Sequence, residues 1–400
     1  MVLTLELYDE GSYSWSDKTD KCIRLRHSIS SHELESIEFE LIGEDVSVGQ
    51  KIRVKRDNNI IFEGIVYERS RKQRGGLLSV RATAYSYLIL YDRQIIYRIY
   101  QTGIKAGEII RDLGKLIDDE FPVNLNGVED GDSLLSPWKI ENRSALEIVK
   151  SVARGTNYWL RMKPCLSYLV LDGQPGNYIL VNLPRFPSSF TIAILIRKDA
   201  QPPDYGFEWI FRYTGSGARW FGWVSATIEP NNPSNTIFRI ADTSNDNNEI
   251  HLSSGPKLGV GEWSWIIYWY DGSAMRIYKN SELCAEKSET PQVYTSSGSL
   301  QIGRHGSGDY HIPLSYGQFL IYEKPLNENE IERLVADPLN PPLDKLFLYL
   351  NFTKFENNTI PDLSDNGNDG VAYGDVSQDY EVYPQYVNSM LLEFKPKVIA

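Results

Sequence analysis

A mainly β chain with a minor helical component is predicted by three observations. Aromatic residues make up 12% of the 400 residues, with nine Trp and 25 Tyr, a bias that favours strands. Short runs alternating apolar and polar residues recur along most of the chain. Helix-period patterns are confined to two stretches before residue 165 and a short one after residue 326. The expected order is a small β-barrel over 1–100, an α+β segment over 101–165 and a β-sandwich over 168–376. A C-terminal strand segment over 377–400 is expected to return to the N-terminal part, which makes the sandwich an insertion. A length of 400 residues also exceeds what one core ordinarily serves.

Taken in order, Ile37–Leu41 alternates as a half-buried strand does. Lys51–Arg56 and Ile60–Tyr67 are joined by Asp57, Asn58 and Asn59, which tolerate positive φ in a tight hairpin, and Leu78–Tyr85 continues the meander. Many short strands are most economically closed as a barrel or sandwich. The basic run Arg69–Arg74, before Gly75 and Gly76, reads as a solvated hairpin loop or as an electrostatic contact with an acidic neighbouring subunit.

Gly107–Glu120 places Ile109, Ile110, Leu113, Leu116 and Ile117 on one helical face. Ser144 to Glu147 is a capping box, with Leu146, Val149, Val152 and Ala153 as the buried stripe behind it. The polar loop between them carries Asn124, Asn126, Glu129, Asp130 and Asp132. It lacks the closing Glu of a twelve-residue calcium loop, so an ordinary polar loop is the expectation.

Beyond Tyr168 the strand candidates are Trp209–Tyr213, Trp220–Val224, Thr236–Ile240, Trp263–Tyr270 and Ala274–Leu283, with turns at Asp271-Gly272 and Lys279-Asn280. Asn327 with Glu330 three residues on starts a short helix.

Charge is divided unevenly. Residues 1–165 carry 24 Lys and Arg against 25 Asp and Glu; residues 166–400 carry 17 against 28 of the total of −12. An acidic, aromatic-rich surface argues against nucleic acid, whose phosphates require basic patches. No apolar run approaches the roughly 20 residues of a membrane-spanning helix. The N-terminus shows no secretory leader pattern, and Cys22, Cys165 and Cys284 lie too far apart for a metal motif, so reduced, structural thiols in a cytosolic product are expected.

Two resemblances are carried by particular motifs. Val48-Gly-Gln-Lys-Ile-Arg-Val, Ile61-Phe-Glu-Gly-Ile-Val, Ala82-Thr-Ala-Tyr, Ala106-Gly-Glu-Ile-Ile and Ser144-Ala-Leu-Glu-Ile-Val follow one another as in the baseplate-hub or tail-tip proteins of tailed phages and related injection machines. That resemblance covers about residues 1–165 and rests on the order of short motifs. It implies a structural subunit, often one of three in a ring, that contacts other tail or baseplate proteins, assembles in the host cytoplasm and resides in the virion. No second copy of the barrel, common in such hubs, is visible.

Gly261-Glu-Trp263, Tyr270-Asp-Gly-Ser-Ala-Met-Arg-Ile-Tyr-Lys-Asn280 and Phe319-Leu-Ile-Tyr-Glu-Lys-Pro-Leu-Asn327 resemble a laminin-G-like, concanavalin-like jelly roll. Ser281 stands for a usual Gly. The signature Pro361-Asp-Leu-Ser-Asp-Asn-Gly-Asn-Asp-Gly370 closes this segment where in most relatives it opens it, with Asp365 for Gly, as a circular permutation of strands would give. Such modules bind sugars or protein surfaces.

Sugar recognition needs aromatic faces with amides and carboxylates beside them. Trp209, Trp220, Trp223, Trp263, Trp265 and Trp269 have the right chemistry, although alternation turns some of them into the core. Loop positions are better sites: Arg219, Trp220, Asn231, Asn232, Asp242, Asn245, Asp246, Asn248, Arg304 and His305. No cofactor is implied; calcium, held by Asp242 and Asp246, is the one metal the Asp242–Asn248 run allows. No paired-carboxylate, metalloprotease, nucleophile-elbow or phosphate-loop motif occurs, so a catalyst is not expected. The expectation is therefore a tail-tip hub component with a jelly roll for host-surface glycan or protein. The alternatives are a jelly roll that only braces neighbouring subunits and a glycan hydrolase.

Overall fold

The computed structural model describes the chain apart from residues 1, 10–13, 31–32, 75, 118–121, 175, 201–207, 216–222, 229–234, 242–248, 304–312, 383 and 397–400. Its contacts divide into two units: Met1–Leu166 with Ala336–Asn340 and Glu381–Ala400, and Ser167–Val335 with Pro341–Tyr380.

Unit 1 begins with seven antiparallel strands: β1 (Leu3–Asp9), β2 (Ser14–Asp17), β3 (Cys22–Ser28), β4 (Ser36–Ile42), β5 (Lys51–Arg56), β6 (Asn59–Arg74) and β7 (Leu77–Ser86). They form one sheet in the order β2-β1-β5-β6-β7-β4-β3. Alternation sets the inner face: Leu5, Leu7, Ile37, Phe39, Leu41, Ile52, Val54, Phe62, Val80, Ala82 and Ala84 share a core. Asp57 (φ 49°) and Asn58 (φ 72°) make the β5–β6 turn in the left-handed region that short polar side chains tolerate. At Gly64 a Cβ would lie 2.1 Å from the Tyr85 carbonyl oxygen, so only glycine lets β6 and β7 approach.

The basic run is not a loop. Strand β6 continues through it to Arg74, and Arg69 and Arg71, two residues apart on one face, both reach Asp45, at 3.2 Å and 2.9 Å. The local composition looked loop-like, but pairing with β7 out to Leu77 imposes strand.

Next come β8 (Ile95–Tyr100), α1 (Ala106–Gly114), β9 (Val123–Asn124), β10 (Trp138–Ser144) and α2 (Ala145–Thr156). Helix α1 stops short of Glu120: at Gly114, a poor helix former whose carbonyl accepts from the Tyr91 hydroxyl (2.8 Å), it passes into a 3₁₀ turn. Ser144 caps α2 by accepting from the Glu147 amide (3.2 Å), and Asn157 ends it at φ 59°. In the loop between the helices, Asn124 Oδ1 accepts from the Asn126 amide (2.8 Å) and Asp130 pairs with Arg111 (2.7 Å). Those oxygens serve the turn and an ion pair. Among the described residues no group of three His, Cys, Asp or Glu side chains is placed to hold a metal. Strand β11 (Tyr158–Leu171) then pairs, through Tyr158–Cys165, with the C-terminal strand Ser389–Pro396, which also runs parallel to β9.

Unit 2 is a sandwich. One sheet has the order β17-β16-β15-β14-β21-β12-β25-β24, built from β12 (Tyr178–Leu183), β14 (Glu208–Gly215), β15 (Trp223–Ile228), β16 (Thr236–Ala241), β17 (Glu249–Leu252), β21 (Gly298–Ile302), β24 (Thr359–Ile360) and β25 (Gly370–Tyr373). The other runs β20-β19-β18-β13-β22, from β13 (Phe190–Lys198), β18 (Trp263–Tyr270), β19 (Ala274–Lys279), β20 (Glu282–Ser288) and β22 (Leu314–Tyr322), with β23 (Leu346–Asn351) beside β22. Phe190, Ile192, Ile194, Phe211, Tyr213, Phe238, Ile266, Tyr268, Leu300 and Phe319 meet between the sheets. Helix α3 (Glu328–Ala336) opens on a reciprocal box: the Asn327 amide donates to Glu330 (2.9 Å) and the Glu330 amide to Asn327 (3.0 Å). The 361–370 signature is structural. Asp362 gathers the amides of Tyr349, Ser364 and Asn368 at 2.9–3.0 Å. Asp365, at φ 66°, occupies a conformation that glycine adopts without strain, which accounts for the residue usual there.

Unit 1 also buries a charged cluster. Glu63 on β6 is 3% exposed and accepts from the Tyr87 hydroxyl (3.2 Å). Burial foremost, then the charge of the buried Asp337, push its carboxyl up to about 7, against Arg53 and Lys51, which favour ionisation. With the folded value above the unfolded one, the contribution to stability is complete below about pH 4.5 and is lost as pH rises through 7, a loss of roughly 3 kcal/mol. Urea midpoints of the full chain should therefore fall between pH 5 and pH 8, and E63Q should flatten that fall; an equal slope in E63Q would refute this origin.

Candidate functional site

The apolar layer of unit 2 determines which side chains its β12–β17 sheet turns outward. Phe211 and Tyr213 fill the core, so Arg212 between them faces away; Phe238 and Ile240 do the same for Arg239, and Val224, Ala226 and Ile228 for Ser225 and Thr227. A bulge between Trp209 and Phe211 lets Ile210 and Phe211 both face inward and leaves Trp209 outside.

Strand register assembles these residues into rows. Arg212 lies opposite Ser225, Ser225 opposite Arg239, and Arg239 opposite His251. On the other side Arg212 faces Gln301, Gln301 faces Leu180, and Leu180 faces Val371. One polar row, His251-Arg239-Ser225-Arg212-Gln301, thus crosses five strands. A second row, about 7 Å along the strands, holds Thr227, Trp209 and the cross-strand pair Tyr178–Tyr373. Those two tyrosines stack with centroids 4.8 Å apart and planes within 6°, and Tyr373 is 41% exposed.

The electrostatics are unusual for an acidic half of the chain. The Arg212 and Arg239 guanidiniums lie 5.5 Å and 5.8 Å from the Trp209 ring centroid. Burial draws the Arg212 group below the ordinary arginine range, and Glu249 opposes this. Glu249 is itself bonded to His251 at 2.7 Å. Ser225 and Thr227 are fully buried, and neither hydroxyl has a hydrogen-bond partner among the described residues. Buried polar atoms are rarely left so.

The expected loop residues Arg219, Trp220, Asn231, Asn232, Asp242, Asn245, Asp246, Asn248, Arg304 and His305 lie outside the described residues, as does the calcium reading of Asp242 and Asp246. The side chain of Trp223 also lies outside them. Three of the tryptophans are not a stacking surface. Trp263, Trp265 and Trp269 are buried on the other sheet, where Trp269 Nε1 donates to the Leu326 carbonyl (2.9 Å) and Trp263 packs against Tyr168 and Arg197. Among the described candidates Trp209 is the one that reaches the outward face. Sequence reading missed Arg212, Arg239, Ser225 and Thr227. The available signal was an arginine flanked by large apolar residues in each of two strands, Ile-Phe-Arg-Tyr and Ile-Phe-Arg-Ile. In unit 1 a cleft of about 480 Å³ lies beside Tyr8, Lys18, Glu44 and Gln50. There Lys18 is paired with Glu44 (3.1 Å) and the Gln50 amide donates to the Tyr8 carbonyl (2.9 Å).

A concanavalin-type sandwich with a polar and aromatic outward face is what the fold defines, and comparison agrees on the segment. Residues 172–332 match the Laminin_G_3 family model, described as the concanavalin A-like lectin/glucanases superfamily. The match does not extend to residues 1–165, so the tail-hub resemblance is carried by the sequence motifs alone. No curated protein matches the chain. Similar solved structures include domain 4 of AbnA, an extracellular arabinanase of Geobacillus stearothermophilus, in complex with arabinotriose (16% identity, TM-score 0.33, 42% of this chain and 76% of that one). A heptameric SAP-like pentraxin of Limulus polyphemus is 12% identical at TM-score 0.33, over 57% and 95%. The CBM40 module of the Ruminococcus gnavus IT-sialidase, bound to α2,3-sialyllactose, is 12% identical at TM-score 0.33, over 42% and 97%. Overlaps at such scores do not assign a ligand or a site.

An unsatisfied buried hydroxyl costs stability. T227V should raise the stability of the unliganded chain by about 1 kcal/mol, measured as a higher thermal midpoint; a lower midpoint would show that the hydroxyl is engaged.

Proposed function

We propose that unit 2 is a non-catalytic carbohydrate-binding module and that its ligand lies across the outward rows of the β12–β17 sheet. The observation that carries this reading is the two rows in register. Trp209 and the Tyr178–Tyr373 stack offer ring faces and edges to the apolar faces of sugars. Gln301, Arg212 and His251 offer hydrogen bonds to their polar groups. The superfamily match over 172–332 supports the same reading. None of the residues named in the two rows is a carboxylate, and Glu249 beside them is tied to His251, whereas glycoside hydrolysis uses two carboxylates. A glycan array probed with the full chain tests the proposal. Bound glycans should lose affinity at least tenfold in Y373A, with unfolding behaviour unchanged, and binding indifferent to Y373A would remove the ligand from this face.

For the remainder of the chain we propose the tail-tip role that the order of motifs over 1–165 implies: unit 1 anchors the chain in a symmetric ring of the virion tail, and the ring multiplies weak glycan sites into avidity. Light scattering on the full chain should then give a stable oligomer, trimeric in the simplest case. A monomer at every concentration, with and without tail partners, counts against it and favours a free-standing sugar-binding protein.

A further inference from the structure

The ribbon of β8 and β10 in unit 1 has an apolar edge. Strand β8 pairs with β10 alone among the described strands, so its other edge has no strand beside it. Alternation divides its side chains. Ile96 and Tyr100 join the core with Ile140 of β10, while Ile95, Tyr97 and Ile99 point the other way and are 53%, 69% and 60% exposed. This outward row carries no charge. Arg98, the single charged residue of β8, lies on the side of Tyr100, where Asp112 takes both the Tyr100 hydroxyl (2.7 Å) and the Arg98 guanidinium (3.2 Å).

The two edges of the ribbon differ. Strand β10 bulges between Ile140 and Arg143, with Asn142 at φ 52°, and exposes the ion pair of Lys139 and Glu141 (2.5 Å). Bulges and charges are ordinary means of keeping an edge from pairing with another chain. Strand β8 has no bulge, no Lys and no Pro, and a row of apolar side chains beside an unpaired backbone is a template for strand addition.

The pattern of the row selects the occupant. Ile95, Tyr97 and Ile99 read the same in both directions. A second β8, turned antiparallel about Tyr97, sets Tyr97 opposite its partner's Tyr97, Ile95 opposite Ile99 and Arg98 opposite Ile96. No like charges meet, and aromatic and β-branched pairs are those that stabilise neighbouring strands. A two-fold interface requires a patch that complements itself, and this one does.

We propose that β8 is a dimerisation edge: two copies of this chain pair antiparallel through Ile95–Ile99 and join their ribbons into one sheet, β10-β8-β8-β10. One strand per copy is small beside the roughly 1,200–2,000 Å² of a standard interface, so the dimer exchanges with monomer at micromolar concentration.

Two measurements on the full chain test this. The first is cross-linking under mild oxidation. Opposed residues of an antiparallel pair have Cα atoms about 4.5–5.5 Å apart, within disulfide reach. Y97C should therefore form a covalent dimer, and so should an equimolar mixture of I95C and I99C. I99C alone should not, because its two copies lie about 13 Å apart along the strands. Wild type, which keeps Cys22 and Cys284, sets the background. Y97C cross-linked no more than wild type and I99C overturns the pairing, whatever the mass in solution. The second is light scattering of wild type and Y97E at about 1–100 μM. Wild type should approach the mass of two chains, and Y97E, with far-UV circular dichroism unchanged, should dissociate at least tenfold more readily. A wild-type mass of one chain throughout overturns the pairing. The inference is independent of the ring reading, and the masses separate the two. Three chains unaffected by Y97E overturn the pairing and leave the ring; two chains lost in Y97E uphold the pairing without a ring; six chains that Y97E splits into threes uphold both.

Discussion

The apolar layer between the two sheets of unit 2 is the constraint on which the rest of that unit depends. Burial of Phe190, Phe211, Tyr213, Phe238, Tyr268 and their neighbours is the dominant favourable term available to such a sandwich. Because side chains alternate with period two, each residue committed to that layer fixes the direction of the next. A slip of one residue in β14 would bury Arg212 in the core and expose Phe211. The register that seals the core is therefore the register that aligns the outward rows. The site needs no separate organising device.

The outward face is also where local rules are broken. A strand position in the middle of a sheet ordinarily carries a β-branched or aromatic residue. Here two such positions carry arginines, and the buried Ser225 and Thr227 hydroxyls have no partner among the described residues, beside an exposed tyrosine stack. Departures of this kind cluster where function outweighs stability. Unit 1 has its own departure in the buried Glu63–Asp337 pair, which couples the stability of that unit to pH without any link to the rows.

Much of the fold was legible because it rests on short-range physics. The Asp57-Asn58 turn, the Ser144 cap, the Asn327–Glu330 box and the alternating Trp263–Tyr270 strand are decided within a few residues, and each appears where the pattern places it. Two readings failed for a shared reason. The basic run Arg69–Arg74 is strand because β7 pairs with it, and the helix expected to reach Glu120 stops at Gly114, where Tyr91 takes its carbonyl. Both outcomes are set by pairing rather than by local composition: Arg74 lies opposite Leu77 in one hairpin, and Tyr91 reaches Gly114 from 23 positions before it. The rows were illegible for the same reason: Arg212 and Arg239 are 27 positions apart, and only the pairing of β14, β15 and β16 brings them beside Ser225. The tryptophans misled because chemistry suited to stacking on sugars is equally suited to packing, and in Trp263, Trp265 and Trp269 packing won.

The pairing of Tyr158–Cys165 with Ser389–Pro396 bears on how the chain is made. On a ribosome the first of these segments emerges more than two hundred residues before its partner, and the whole of unit 2 is synthesised in the interval. Unit 2 has its core in hand while β11 still lacks one neighbour and offers an open edge to passing chains. Completion of unit 1 must wait for residues 389–396. The vulnerable period is the interval before they arrive, and a stall or nick just before residue 389 would release a chain with a finished unit 2 and an unfinished unit 1.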